Sequence, residues 1–242
     1  YNDGFGYEAW RNCFELVNLN LWEPAVKNYL YEVIRIWINE FDIDGLRLDV
    51  AYCLDKDFIK RLRWETDHMK DEFVLIGELL HGDYNQFVAD DMLHSCTNYE
   101  CYKGLYSSFN SMNMFEINHS LQRQFGSDNW CIYRGKHLLC FVDNHDVSRI
   151  ASILTNERHL PLIYGMLFTM PGMPCIYYGS EWGAKGDKKD GDPALRLSYD
   201  APITTELTEL IKKLAKIKKE SKALNYGGFR SAHLTNKQCV IE

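Results

Sequence analysis

Three carboxylates stand where the sequence predicts strands to end. Asp49 closes Ile43-Asp44-Gly45-Leu46-Arg47-Leu48-Asp49, Glu78 closes Phe73-Val74-Leu75-Ile76-Gly77-Glu78, and Asp146 closes Leu138-Leu139-Cys140-Phe141-Val142-Asp143-Asn144-His145-Asp146. It is 29 positions from 49 to 78 and 68 from 78 to 146. A strand-helix unit of a parallel barrel takes roughly 30 residues, since about 250 build eight of them. The acids therefore fit the ends of one strand, the next, and the next but two. In a parallel α/β barrel those ends share the rim that carries active sites, so residues far apart in sequence converge.

The residue types point to acid-base and nucleophilic work. Arg47 and Asp49 lie two apart on a strand and so share a face. The guanidinium favours the charged carboxylate, as a nucleophile requires. Glu78 follows Gly77, whose missing side chain leaves room for a ligand, and its neighbours Ile76 and Leu79 suit a proton donor, which needs apolar surroundings. His145 adjoins Asp146 and is placed to hydrogen-bond a hydroxyl, while Arg149 lies just beyond, suited to positioning substrate or to a surface ion pair. Two acids with such different surroundings meet the requirement for retaining glycoside hydrolysis, and a third steadies the developing positive charge.

The elements that must hold these residues follow from the pattern. Residues 1–22 read as loop. Pro24 suits the first turn of a helix of about four turns carrying Val26, Leu30, Val33 and Trp37. A strand follows over 41–49, then a helix N-capped by Asp55. Phe73–Gly77, a less regular segment near 92–99, Leu138–Val142 and Pro174–Tyr178 complete about five strands, with helical stretches at 161–170 and 205–219, the latter with a Lys-rich outer face. Short alternating segments follow Gly227-Gly228. The expected fold is α/β, part of a (β/α)8 (TIM) barrel over residues 1–222, with the start of a C-terminal β-domain over 223–242.

Composition narrows the partners. A formal charge of −7 gives no footprint for nucleic acid or an anionic membrane, and no apolar run reaches the ~18 residues of a membrane span. Aromatic residues make up 14% of the chain, and flat rings with polar edges suit sugar faces. Trp10, Trp22, Tyr52, Tyr99 and Trp182 are candidate platforms, Tyr99 and Trp182 the better placed. The eight cysteines form no CxxC pair or disulfide framework, so they read as reduced thiols of a cytoplasmic protein. No cofactor and no metal are expected. Asn144-His145-Asp146 is also found in dinuclear metal phosphoesterases, but their Gly-Asp-x-x-Asp precedes it, whereas Gly186-Asp187-Lys188-Lys189-Asp190 lies downstream and no Asp-x-His comes before.

The segments Gly45-Leu46-Arg47-Leu48-Asp49-Val50-Ala51, Gly77-Glu78 and Phe141-Val142-Asp143-Asn144-His145-Asp146 resemble the strand-4, strand-5 and strand-7 motifs of the α-amylase family, glycoside hydrolase family 13. Glu15-Leu16-Val17-Asn18-Leu19-Asn20 resembles the stretch ahead of strand 4 in cyclomaltodextrinases and neopullulanases. Gly172-Met173-Pro174-Cys175-Ile176-Tyr177-Tyr178-Gly179-Ser180-Glu181 resembles strand 8 with its exit, and Asp192-Pro193-Ala194-Leu195-Arg196 the loop after it. The resemblance implies a nucleophile at Asp49, an acid/base at Glu78, a transition-state-stabilising acid at Asp146, a positioning Arg47 and a substrate-binding His145, acting on α-1,4 bonds of maltodextrins or cyclic glucans. It covers strands 4 to 8 and leaves the strand-3 motif unmatched. Tyr52 and Cys53 replace the Lys and His of many amylases, and Leu80 stands where cyclomaltodextrinase-like enzymes often place Trp. A fragment of this kind has open barrel edges and is expected to self-associate. The alternative to an enzyme is a catalytically silent or glucan-binding remnant.

Overall fold

The computed structural model describes residues 6–242; residues 1–5 of the expected loop lie outside that range. The first described elements are an antiparallel hairpin, β1 (Ala9–Trp10) and β2 (Cys13–Val17). Its two turn residues, Arg11 and Asn12, both have positive φ, 46° and 63°. That is the tight two-residue reversal that follows strand twist. The expected loop is therefore partly strand; β2 lacks the polar-apolar alternation that marks one.

Helix α1 (Pro24–Phe41) starts at Pro24 as expected but runs for 18 residues, about five turns, and stops where Asp42 takes a left-handed φ of 50°. The strand expected over 41–49 is accordingly short, β3 (Gly45–Leu48). Asp55 caps α2 (Lys56–Met69) by accepting from the Phe58 amide at 2.8 Å, and β4 (Val74–Gly77) follows.

These strands are parallel, with Gly45 opposite Val74 and Leu48 opposite Gly77. β5 (Ser95–Cys96) continues the sheet beside Ile76 and Gly77. Two helices absent from the sequence reading come next, α3 (Tyr99–Ser111), capped by Asn98, and α4 (Phe115–Phe125). Gly104 in the middle of α3 weakens the helical signal. Its bareness has a purpose, because a Cβ there would lie 3.2 Å from Ile117 Cδ1, where the two helices meet.

β6 (Leu139–Phe141), α5 (Ile150–Ile153), α6 (Leu160–Thr169) and β7 (Met173–Cys175) follow, with β6 and β7 parallel in the register Leu139 to Met173. The two parallel sheets join through a single bridge between Thr97 and Leu139 and the bond from the Asn98 amide to the Leu139 carbonyl, 2.8 Å. Five parallel strands thus run side by side in chain order. Among the described residues they form an open arc, not a closed barrel.

After α7 (Asp192–Leu195), Thr205 caps α8 (Glu206–Glu220) in a reciprocal box with Thr208. One lysine of its expected outer face is instead buried: Lys218 Nζ donates to the carbonyls of Met170 at 3.0 Å and Leu224 at 2.8 Å. α9 (Lys222–Tyr226) and the antiparallel pair β8 (Ser231–Leu234) and β9 (Cys239–Ile241) close the chain, with Phe229 buried in the common core. The arc leaves apolar side chains uncovered along α1, where Tyr29, Ile36, Trp37 and Phe41 are exposed among the described residues.

Candidate active site

β3 and β4 are adjacent and in register, so their C-terminal ends present Asp49 and Glu78 side by side. Arg47 projects on the same side as Asp49 and binds both acids: one guanidinium nitrogen contacts Asp49 Oδ1, and Nη2 lies 3.3 Å from Glu78 Oε1. The two carboxyls share one cation but not one environment, since the Asp49 side chain is 72% exposed and that of Glu78 is 7% exposed.

Backbone geometry contributes. Val50 has φ 45° and ψ 41°, a left-handed conformation that is costly for a β-branched residue and persists only where the surroundings enforce it. The turn points the Val50 amide at Glu78 Oε2, 3.1 Å away, while the Ala51 amide donates to the Glu78 carbonyl at 3.1 Å. The segment after Asp49 is thereby tied to Glu78 twice.

The network extends across the sheet. Tyr99, at the start of α3, donates its hydroxyl to Glu78 Oε1 at 3.3 Å and accepts from Asn144 Nδ2 at 2.9 Å. Asn144 Oδ1 in turn accepts from the amides of Asp146 at 2.8 Å and Val147 at 3.1 Å. Burial pushes the Tyr99 hydroxyl up to about 12, so it remains a donor at neutral pH. Asp146 sits between His145, whose Nε2 is 3.0 Å from Oδ2, and Arg196, whose Nη2 is 3.3 Å from Oδ1. Asp49, Glu78, Tyr99 and Asp146 are therefore joined by a continuous chain of contacts running through Arg47 and Asn144.

Two expectations are corrected. Gly77 does not open space for a ligand: a Cβ there would fall 2.4 Å from Leu93 Cδ1 and 2.9 Å from Ala51 Cβ, both residues fully buried. Arg149 forms no surface ion pair among the described residues. It is fully buried, with Nη1 donating to the Tyr178 carbonyl at 2.7 Å and Nη2 to the Leu195 carbonyl at 2.8 Å. Tyr99 contributes its hydroxyl to Glu78 while its ring packs edge-on against Phe141, centroids 5.0 Å apart.

Of the other aromatic candidates, Trp22 is 76% exposed, Trp10 has its indole N–H buried, Tyr52 accepts from Arg11 Nη2 at 3.2 Å, and Trp182 stands edge-on to Tyr199. Asn144 and Arg196 join the site although nothing but their place inside the motifs quoted above pointed to them.

Hollows flank the acids. One of about 1080 Å³ opens beside Asp49 between Trp10, Asn18, Trp22 and Asp55. Another of about 600 Å³ adjoins Tyr99, with Leu80, His81, Lys103 and Arg123 around it. Among the described residues no group of three or more His, Cys, Asp or Glu is arranged to hold a metal ion. Asp187, in the Gly186–Asp190 segment, is engaged by Ser148 at 3.0 Å and Lys189 at 3.1 Å.

Residues 4–226 match the family profile described as the α-amylase catalytic domain. The chain belongs to the α-amylase family. It is 30% identical over 237 residues to a cyclomaltodextrinase of Thermoanaerobacter pseudethanolicus, covering 92% of this chain and 39% of that protein. With an intracellular maltogenic amylase of Bacillus subtilis the identity is 26%, covering 90% and 37%. Among solved structures, the α-amylase of Geobacillus thermoleovorans complexed with acarbose superposes with a TM-score of 0.80 at 26% identity, covering 94% of this chain and 52% of that one. An Anoxybacillus α-amylase superposes at 0.78 with 27% identity, covering 94% and 51%. The chain thus spans about two fifths of the length of these curated relatives, and its likeness to the amylase structures makes the arc part of a TIM-barrel-like α/β fold. No helix among the described residues is long and apolar enough to cross a membrane.

Proposed function

We propose that this chain supplies the catalytic residues of a retaining glycoside hydrolase acting on α-1,4-glucosidic bonds of maltodextrins or cyclic glucans. In this reading its five parallel strands are strands 4 to 8 of a (β/α)8 barrel spanning residues 1–222, and 223–242 begin a C-terminal β-domain. The observation that carries it is the Arg47 guanidinium held between an exposed Asp49 and a buried Glu78.

A retaining route needs two carboxyls close together, about 5–5.5 Å apart, one to attack and one to give and take the proton. Asp49, open to solvent and paired with a cation, is the attacking oxygen. Glu78, enclosed and touched by the Tyr99 hydroxyl and the Val50 amide, protonates the departing sugar and then takes the proton of the attacking water. Asp146 is the third acid, and His145 binds substrate beside it. The relatives named as cyclomaltodextrinase and maltogenic amylase support the substrate class. The exposed apolar face of α1 supports burial against further polypeptide, and the free cysteines support a reducing, cytoplasmic setting.

Glu78→Gln in the protein that carries this chain tests the reading. Loss of the acid/base is expected to lower maltooligosaccharide turnover about 10²–10⁴-fold with the thermal unfolding midpoint little changed. Undiminished turnover removes the role.

A further inference from the structure

Among the described residues Arg149 is the largest fully buried side chain, and no carboxylate lies within ion-pairing distance of its guanidinium. Burying a cation is expensive unless its donors are satisfied. Here Nη1 and Nη2 find acceptors on two separate segments, the Tyr178 carbonyl at 2.7 Å beside Ser180 Oγ at 3.1 Å, and the Leu195 carbonyl at 2.8 Å, while Nε is buried without a partner. The guanidinium also lies over the Tyr177 ring, 4.5 Å from its centroid, and the Tyr177 hydroxyl donates to the same Leu195 carbonyl at 3.2 Å. The Arg149 amide holds the Gly186 carbonyl at 2.9 Å. The residue after Leu195 is Arg196, whose guanidinium reaches Asp146 at 3.3 Å and Asp192 at 3.5 Å. A closed circuit results. Asp146 and Arg149 leave β6 three residues apart, Arg149 grips the 186–195 segment, and that segment returns a cation to Asp146.

We propose that Arg149 is a positioning residue for the reaction: it fixes the 186–196 segment so that Arg196 stays against Asp146. The inference rests on the proposed role of Asp146 for its catalytic meaning, but its structural core stands without it. Lysine keeps the charge and loses the planar fork that serves two acceptors at once.

Two variants test it, Arg149→Lys and, because the first risks misfolding, Tyr177→Phe, which removes only the second bond to Leu195. In either variant amide exchange across 192–198 is expected to accelerate about ten-fold, as loss of one strong hydrogen bond implies, while β4 is unchanged. Exchange at 192–198 no faster than in the parent in both variants overturns the proposal whether or not the protein hydrolyses glucan. In turnover of maltotriose, each variant is expected to lower kcat more than it changes KM. That loss is expected to vanish when Arg196 is already Ala, since residues acting through one another are non-additive. Full additivity with Arg196→Ala in an active protein also overturns it, leaving the hydrolase reading intact. A parent protein that turns over no maltooligosaccharide sinks that reading, and the exchange measurement still decides on Arg149.

Discussion

Replacing Gly77 by Ala inserts one methyl at the end of β4, directly before Glu78. The ideal Cβ would meet Leu93 Cδ1 at 2.4 Å and Ala51 Cβ at 2.9 Å. Neither neighbour yields freely: both are fully buried, and Ala51 is held by its amide bond to the Glu78 carbonyl. Overpacking of this kind costs about 1–3 kcal/mol. The closer contact is the end of a side chain that can rotate, so about 2 kcal/mol is expected, a fall of roughly 4–8 °C in unfolding midpoint for a chain of this size. Leu93→Ala by itself costs about 2–5 kcal/mol, but it vacates the first clash. In that background Gly77→Ala is expected to be milder by at least about 1 kcal/mol. Urea unfolding of the four proteins measures the cycle. Two outcomes refute the reasoning: a Gly77→Ala protein within about 0.5 kcal/mol of the parent, or strict additivity with Leu93→Ala. A raised KM at unchanged stability would restore the alternative that the missing side chain makes room for substrate.

Tyr99→Phe removes the hydroxyl between Glu78 and Asn144 and is expected to cost about 1 kcal/mol in stability and to lower kcat more than KM changes. Steady-state kinetics check it, and a change confined to KM would return Tyr99 to the role of a sugar platform. Asp143 is pushed up to about 6 by burial, although the Ile150 amide, the Ser180 hydroxyl and Arg149 pull it down. The folded state then keeps a proton that the unfolded state releases, so this group's contribution to stability falls as pH rises between about 4 and 6, by roughly 3 kcal/mol. Asp143→Asn lacks that loss, and its stability relative to the parent is expected to rise by this amount over the window in unfolding titrations. Parallel pH profiles of the two proteins would contradict the assignment.

Much of the site was legible because its key relations are local or periodic. Arg47 and Asp49 share a face because strand side chains alternate, and Glu78 falls beside them because each strand-helix unit returns at a regular interval. The helix start at Pro24 and the cap at Asp55 follow from single residues with one dominant use. Arg149 was misread as a surface group because its position just past Asp146 says nothing of where the Tyr178 and Leu195 carbonyls will sit; those lie 29 and 46 residues away. Gly77 was misread because bareness in a strand serves a ligand and a neighbouring side chain equally well, and only the placement of Leu93 distinguishes them. Lys218 reads as solvated by type and register, yet two carbonyls left over near the end of α6 and in α9 draw it inside. The hairpin at 9–17 depends on an Arg-Asn turn, in which Arg is not a usual residue for positive φ.

The seam between β5 and β6 divides the candidate site between two sheets. Asp49, Glu78 and Arg47 all belong to the sheet on one side of it, and Asp146 with Arg196 to the other. The placement of Asp146 relative to the other two acids is therefore set by packing across that line, where Tyr102 stacks on Phe141 and Ser95 Oγ donates to the His137 carbonyl at 2.7 Å, and not by strand register alone. The Tyr99–Asn144 hydrogen bond spans the line and acts as its clasp.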